Sequence, residues 1–219
     1  METKALDYVD NFNLIVCPCV SPWGYETINR WNWEAIDPNR SFRGEGLCQE
    51  SKHLISFVSS FEKRDDVNII AHIDLHETTN TDETIFRPAL EARDAIKLPQ
   101  CGIPDGFYLV GISTKVEEEY FKAVINGVKE ITHIAPPDQE GKLLDEKILS
   151  EGVIVYGGDL GLCNSMTKGS KYAVTTEVYP DSSKPNVDDE NCILAQVKAV
   201  TSTLDFIYNK SKLDSSKEL

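Results

Sequence analysis

The chain is short of positive charge. Its 219 residues carry 22 Lys and Arg against 36 Asp and Glu, a net charge of −14. Such a surface repels phosphate backbones and anionic lipid, and no basic cluster interrupts it. Neither nucleic acid nor a membrane is therefore an expected partner. Long apolar runs are missing as well: nothing approaches the roughly 18–20 residues that span a bilayer. Residues 1–10 lack the apolar centre of a secretory signal. No CxxC pair occurs among Cys17, Cys19, Cys48, Cys101, Cys163 and Cys192. Without an export signal the expectation is a cytoplasmic protein with reduced thiols.

What is present reads as one globular domain. Hydrophobic residues make up 41% and charged residues 26%, with 13 Gly and 10 Pro. That length and composition support a single core, expected over residues 1–209, followed by a polar, frayed tail at 210–219. Apolar, β-branched runs predict strands at Asn13–Val20, Asn68–His76, Gly106–Val110, Gly152–Tyr156 and Tyr172–Val178. Between them lie helical patterns. Leu47, Leu54, Val58 and Phe61 form one stripe, and Val116, Tyr120, Val124 and Val128 another. The longest, Val187–Tyr208, follows the acidic first turn Asp188–Glu190. Strands alternating with helices predict an α/β fold, a mostly parallel or mixed sheet with helices on both faces. Long connections at Pro22–Glu45 and Glu77–Ile103 are where an open sheet of this kind binds ligands.

Polar residues cluster where strands end. His76 closes a strand, two residues after Asp74 on the same face. An imidazole there can ligate a metal with Asp74 orienting it, or simply hydrogen-bond at the strand terminus. His72 stands four residues earlier, ~13 Å away along a strand. That is too far to share one zinc with His76 and predicts a buried or second-layer histidine. Glu177 ends another strand among apolar neighbours, where a carboxyl pKa rises toward the range of a general base; a structural ion pair is the alternative. Arg30, Asn39 and Arg40 lie in the first long connection, and paired guanidinium donors suit a carboxylate.

In chain order these segments resemble the zinc metallocarboxypeptidase family of the carboxypeptidase A-type fold, related to the succinylglutamate desuccinylase and aspartoacylase deacylases. The resemblance rests on Pro22-Trp23-Gly24-Tyr25-Glu26, on Arg30-x-Asn32 with Asp37-Pro38-Asn39-Arg40-Ser41-Phe42, on Asp74-Leu75-His76, on Tyr156 with Gly157-Gly158, and on Thr176-Glu177. It covers Leu14 to Tyr208. It implies one Zn2+ held in part by His76, with Glu177 as general base and Arg30 stabilising the oxyanion. It further implies that Asn39 and Arg40 grip a terminal carboxylate, that Tyr156 closes over the substrate, and that Asp159–Asn164 shape a side-chain pocket in which Asp159 would favour a basic residue. The implied substrate is a peptide or small acidic molecule with a free C-terminal carboxylate.

One departure is decisive. The family's other two zinc ligands come from His-x-x-Glu, yet three residues beyond His53, His72, His76 and His133 stand Ser56, Leu75, Thr79 and Pro136. Glu50-x-x-His53 has the reverse order, on a predicted helix surface. Lys4–Val9 resembles the end of the helix that follows His-x-x-Glu, so the expectation is that the N-terminal part of the fold and two ligands lie upstream of Met1. Three functions follow: a zinc carboxypeptidase, an N-acyl amino acid deacylase, or a catalytically inactive carboxylate-binding protein.

Overall fold

The structure, a computed structural model, describes residues 2–99 and 102–215. Strands β1 (Ala71–Glu77), β2 (Tyr108–Ile112), β3 (Lys142–Leu143), β4 (Glu146–Ser150), β5 (Val153–Tyr156) and β6 (Tyr172–Val178) make one six-stranded sheet. Their spatial order is β1-β6-β2-β5-β4-β3. β1 runs parallel to β6 and β2 parallel to β5, while the β6–β2, β5–β4 and β4–β3 pairs are antiparallel. The fold is α/β with a mixed sheet, as the patterning predicts.

Helices are α1 (Glu2–Ala5), α2 (Pro22–Thr27), α3 (Gln49–Glu62), α4 (Arg87–Asp94), α5 (Glu118–Val128) and α6 (Asp189–Ser215). α5 and α6 cover one face of the sheet. Tyr120, Val124 and Val128, one every fourth residue, pack with Ala195, Ala199 and Ile207 of α6 against Leu109, Val153, Tyr172 and Val174 of the strands. Tyr120 is fully buried; its ring lies 5.1 Å from that of Tyr172 and 5.8 Å from that of Phe206, centroid to centroid, and its hydroxyl is 3.2 Å from Thr203 Oγ1.

Strand alternation then decides where the polar residues go. Val174 and Val178 of β6, and partly buried Ile73 of β1, join the helix-covered core. His72, Asp74, His76, Thr175 and Glu177 therefore project from the opposite face. A smaller core of Tyr108, Val110, Leu143, Ile154 and Leu162 occupies that side, and the turn Cys163–Ser165 packs against β1 and β6.

The structure departs from the sequence expectations at several places. Asn13–Val20 is not a strand: none of its backbone groups hydrogen-bonds to another described backbone group, and Leu14, Ile15 and Val16 stay 46%, 45% and 58% exposed. β propensity cannot hold a strand without a neighbour to pair with. The sheet ends at β1, which pairs only with β6 among the described residues. The β3–β4 hairpin was not expected, because its strands are short and its turn uses Leu144 and Asp145 at positive φ rather than glycine. α6 continues through Ser215, past the point where a frayed tail was expected; residues 216–219 lie outside the described residues. Cys17, Cys19, Cys48, Cys163 and Cys192 are free thiols, and Cys101 lies outside the described residues. No described helix is long and apolar enough to cross a membrane.

Because Tyr120 joins α5 to both β6 and α6, Tyr120→Ala should cost about 3–5 kcal/mol in denaturant unfolding. Tyr120→Phe, which removes only the hydroxyl contact, should cost about 1 kcal/mol. Equal losses for the two variants would mean that packing of the ring does not hold this layer.

Candidate functional site

The register of β1 on β6 sets His76 directly beside Glu177, and Asp74 beside Thr175. β2 adds Tyr108 on the other side of Glu177. Three strands thus bring His76, Glu177 and Tyr108 into one row on the face away from α5 and α6. Thr78, just past the end of β1, joins them: its Oγ1 donates to Glu177 Oε2 (3.1 Å) and lies 2.8 Å from the Tyr108 hydroxyl. When Glu177 is ionised it can only accept, so the polarity runs from Tyr108 to Thr78 to Glu177.

His76 is held from three directions. Gln196 Nε2 donates to its carbonyl (2.7 Å), Asp74 Oδ2 lies 2.9 Å from its Nε2, and Asn39 Nδ2 lies 3.1 Å from the same nitrogen. A carboxylate only accepts and an amide NH2 only donates, so a proton on Nε2 serves Asp74 and leaves Asn39 without a bond there. Asn39 cannot turn over, because its Oδ1 accepts from Cys163 N (2.8 Å). The open nitrogen of His76 is Nδ1.

Arg30 is locked. It donates to Asp37 Oδ2 (3.0 Å) and Asp82 Oδ1 (3.3 Å), and its guanidinium lies 4.1 Å from the centre of the Phe86 ring. Asp37 in turn caps the Pro38–Arg40 turn by accepting from Asn39 N (2.9 Å). Arg40, by contrast, is exposed and donates to the Asn39 carbonyl (2.7 Å). The loop after β5 reaches Arg40 only because Gly161 has no Cβ: one added there would collide with the Arg40 carbonyl, and its φ is +67°. Phe42 N donates to Gly161 O (3.0 Å) across the same contact.

A cavity of about 190 Å³ opens here, lined by Arg30, Asp37, Asn39, Asp74, His76 and Cys163, with Val20, Ser21, Pro38 and Phe42. Of the residues singled out in the sequence, Arg30, Asn39 and His76 meet on its wall. Glu177, Arg40 and Tyr156 do not line it, although charge links them: Arg40 feels Arg30, Tyr156 and Glu177, and Glu177 feels His76 and Arg30. Asp159 does not present a free carboxylate. It accepts from Gly161 N (2.9 Å) and pairs with Arg43 (3.5 Å), which also donates to its carbonyl (2.6 Å).

The electrostatics follow from this packing. Burial pushes Glu177 up to about 7, against the opposing pull of His76, Thr78 and Arg30. For His76, burial disfavours the imidazolium, but the bond and charge of Asp74, with Glu177, outweigh it and carry the pKa to about 9. Crowding and the neighbouring Arg30 lower the pKa of Arg40. Asp37, Asp82, Thr78, Tyr108 and Gln196 were not assigned roles from the sequence. Only Asp37 had a signal, as the first residue of Asp37-Pro38-Asn39-Arg40.

The donor set falls short of a catalytic metal centre. Such a centre takes about three protein ligands. His76 offers Nδ1, Asp74 is bonded to His76, and no three His, Cys, Asp or Glu side chains among the described residues converge on a metal position. Zinc does not fit these residues alone.

No protein-family model matches the chain, and no curated protein matches it. Solved structures do. A protein named as a putative metallopeptidase from Shewanella amazonensis SB2B superposes over 92% of this chain and 70% of its own, with a TM-score of 0.60 at 16% identity. A second of that name, from Shewanella denitrificans OS217, matches over 85% of this chain, TM-score 0.57 and 18% identity; this chain spans 58% of its length. At such identities the likeness is one of fold alone.

Proposed function

We propose that the site takes a peptide or acylated amino acid by its free terminal carboxylate, in the manner of a metallocarboxypeptidase. The observation that carries this reading is the exposed guanidinium of Arg40, which directly follows Asn39 of the cavity wall and bonds the Asn39 carbonyl, in a chain of net charge −14. Arg30 is neutralised by Asp37 and Asp82, which leaves the exposed Arg40 as the group that receives the anion. Asn39 is anchored by its Oδ1 to the Cys163 turn and does not serve as a second grip on the ligand. Glu177, poised near neutrality and fed by the Tyr108–Thr78 chain, accepts or returns a proton at its free oxygen.

The shortage of metal ligands favours a second reading, a protein that binds the carboxylate without hydrolysis. Calorimetry and turnover on the full chain, with and without added Zn2+, separate them, using a benzoylglycyl dipeptide and N-acetylaspartate. Hydrolysis of the dipeptide supports a zinc carboxypeptidase, and turnover of N-acetylaspartate alone supports a deacylase. Binding without turnover of either supports the binding protein.

In every case the dipeptide acid should bind about 10–100-fold more tightly than its C-terminal amide, and Arg40→Ala should erase that difference. Equal affinity for acid and amide would remove the carboxylate reading.

The titrations predict two successive losses of stability as pH rises. Glu177 has a folded pKa above its ordinary 4.5, so its stabilisation is present below pH 4.5 and lost as pH rises through 7. Across that window Glu177→Gln should gain on the parent by an amount on the order of 2–3 kcal/mol. His76 is also raised, so its contribution is full below pH 6.5 and lost as pH rises through 9. His76→Ala should flatten that limb in a thermal-melt series; a parallel profile would refute the Asp74–His76 pairing.

A further inference from the structure

Helix α3 turns Ser51 and Val58 inward, while Glu50, His53, Leu54 and Phe57 recur at helical spacing along another of its faces. With Trp23 of α2 and Trp33 of the loop after it, this second face lines a cavity of about 490 Å³, the size of a small-ligand site. Trp23, Trp33 and Phe57 are 39%, 63% and 47% exposed. Val20 belongs both to this wall and to that of the cavity beside His76, so the two adjoin. Glu50 is the acidic group of the lining, and no Lys or Arg among the described residues lines it. Burial works against the charge of Glu50, but bonds from its own backbone N–H, from Asn32 Nδ2 (3.0 Å) and from Cys48 outweigh that and lower its pKa. An apolar occupant would strip water from that carboxylate without replacing it, whereas a cation offsets the loss. The rings ask for the same partner. Elsewhere in the chain such rings are covered from within: Arg93 lies 4.5 Å from the centre of Trp31, and Arg30 covers Phe86. No cation among the described residues covers Trp23, Trp33 or Phe57.

We propose that this aromatic groove takes the cationic side chain of a basic residue in a peptide whose C-terminal carboxylate occupies the adjoining cavity. For that far end the proposal rests on the carboxylate reading; the groove itself does not. The substrate class narrows from any terminal carboxylate to a peptide with Arg or Lys upstream of its end. Arg suits the groove better, because its flat guanidinium stacks on an indole and still donates in its own plane to Glu50. The charges also set a direction: Arg40 draws the carboxylate end and Glu50 the cationic one. A chain of net charge −14 attracts a basic peptide over distance, and the rings then select where it settles. Glu50-x-x-His53, legible in the sequence only as a helix-surface pair, thus forms part of a binding wall.

Calorimetry on the full chain tests this with N-acetylated tetrapeptides that carry Arg one, two or three residues before a C-terminal Gly. The controls replace Arg by citrulline, which keeps the shape and removes the charge. At one or more of these positions Arg should bind about 5–30-fold more tightly than citrulline. Trp33→Leu keeps apolar area but removes the ring, and Glu50→Gln can still accept from Asn32; each should cut that ratio at least about threefold. General attraction to an acidic surface would survive Trp33→Leu unchanged. Arg40→Ala should lower the affinity of both peptides and leave their ratio as it was. Circular dichroism of each variant separates loss of the groove from loss of the fold. Failure of the carboxylate reading shows as equal affinity for acid and C-terminal amide, and failure of the groove as equal affinity for Arg and citrulline at every position. That second equality, or a ratio untouched in both folded Trp33→Leu and folded Glu50→Gln, would overturn the proposal.

Discussion

The parallel pairing of β1 with β6 is the constraint on which the site depends. Alternation along a strand is strict, so a slip of one residue would carry His72, Asp74 and His76 into the helix-covered core. The core prevents that slip: Ile73 on β1 and Val174 and Val178 on β6 pack against the layer of α5 and α6. Apolar packing on one face thereby fixes the polar geometry on the other. The same logic extends to β2, where Leu109 points into the helix core and Tyr108 to the site. Energetically the helices hold the sheet; chemically they hold His76 next to Glu177.

Most polar groups on that face are committed to one another. Asp74 is bonded to His76, Arg30 to two aspartates, Asn39 to the Cys163 turn, and Asp159 to Arg43. Charge-assisted pairs of this sort rigidify a site but leave little to meet a ligand. What stays open is limited: the exposed guanidinium of Arg40, the Nδ1 edge of His76, and the second oxygen of Glu177. That restriction leaves few groups on this face able to meet a ligand.

The α/β class, four of the five expected strands and the three longer helices were legible in the sequence, because each has enough apolar periodicity to bury a face on its own. Asn13–Val20 has the composition of a strand and fails to be one, since pairing is a property of the neighbour and not of the segment. The hairpin of β3 and β4 escaped for the converse reason: it is too short to show a period. At the site, His76, Glu177, Arg30, Asn39 and Arg40 could be picked out as chemistry-bearing residues at loop and strand ends. Their mutual bonds could not. The Asn39 amide is fixed by Cys163 N, 124 residues away, and no local pattern reports such a contact.

Two histidines on one face of β1 show how finely the surroundings divide equal side chains. Both rings are crowded by protein, and the same desolvation disfavours the charged form of each. His76 meets a carboxylate at 2.9 Å, which rewards a proton on Nε2 strongly enough to carry its pKa to about 9. His72 meets the Thr167 hydroxyl (3.1 Å) and the Cys163 thiol (3.8 Å), neither a full charge, so burial prevails and lowers its pKa. One ring is thus a cation near neutral pH and the other neutral, four residues apart on the same strand. The charge of each imidazole along β1 is therefore set by the partner it meets, not by the presence of an imidazole.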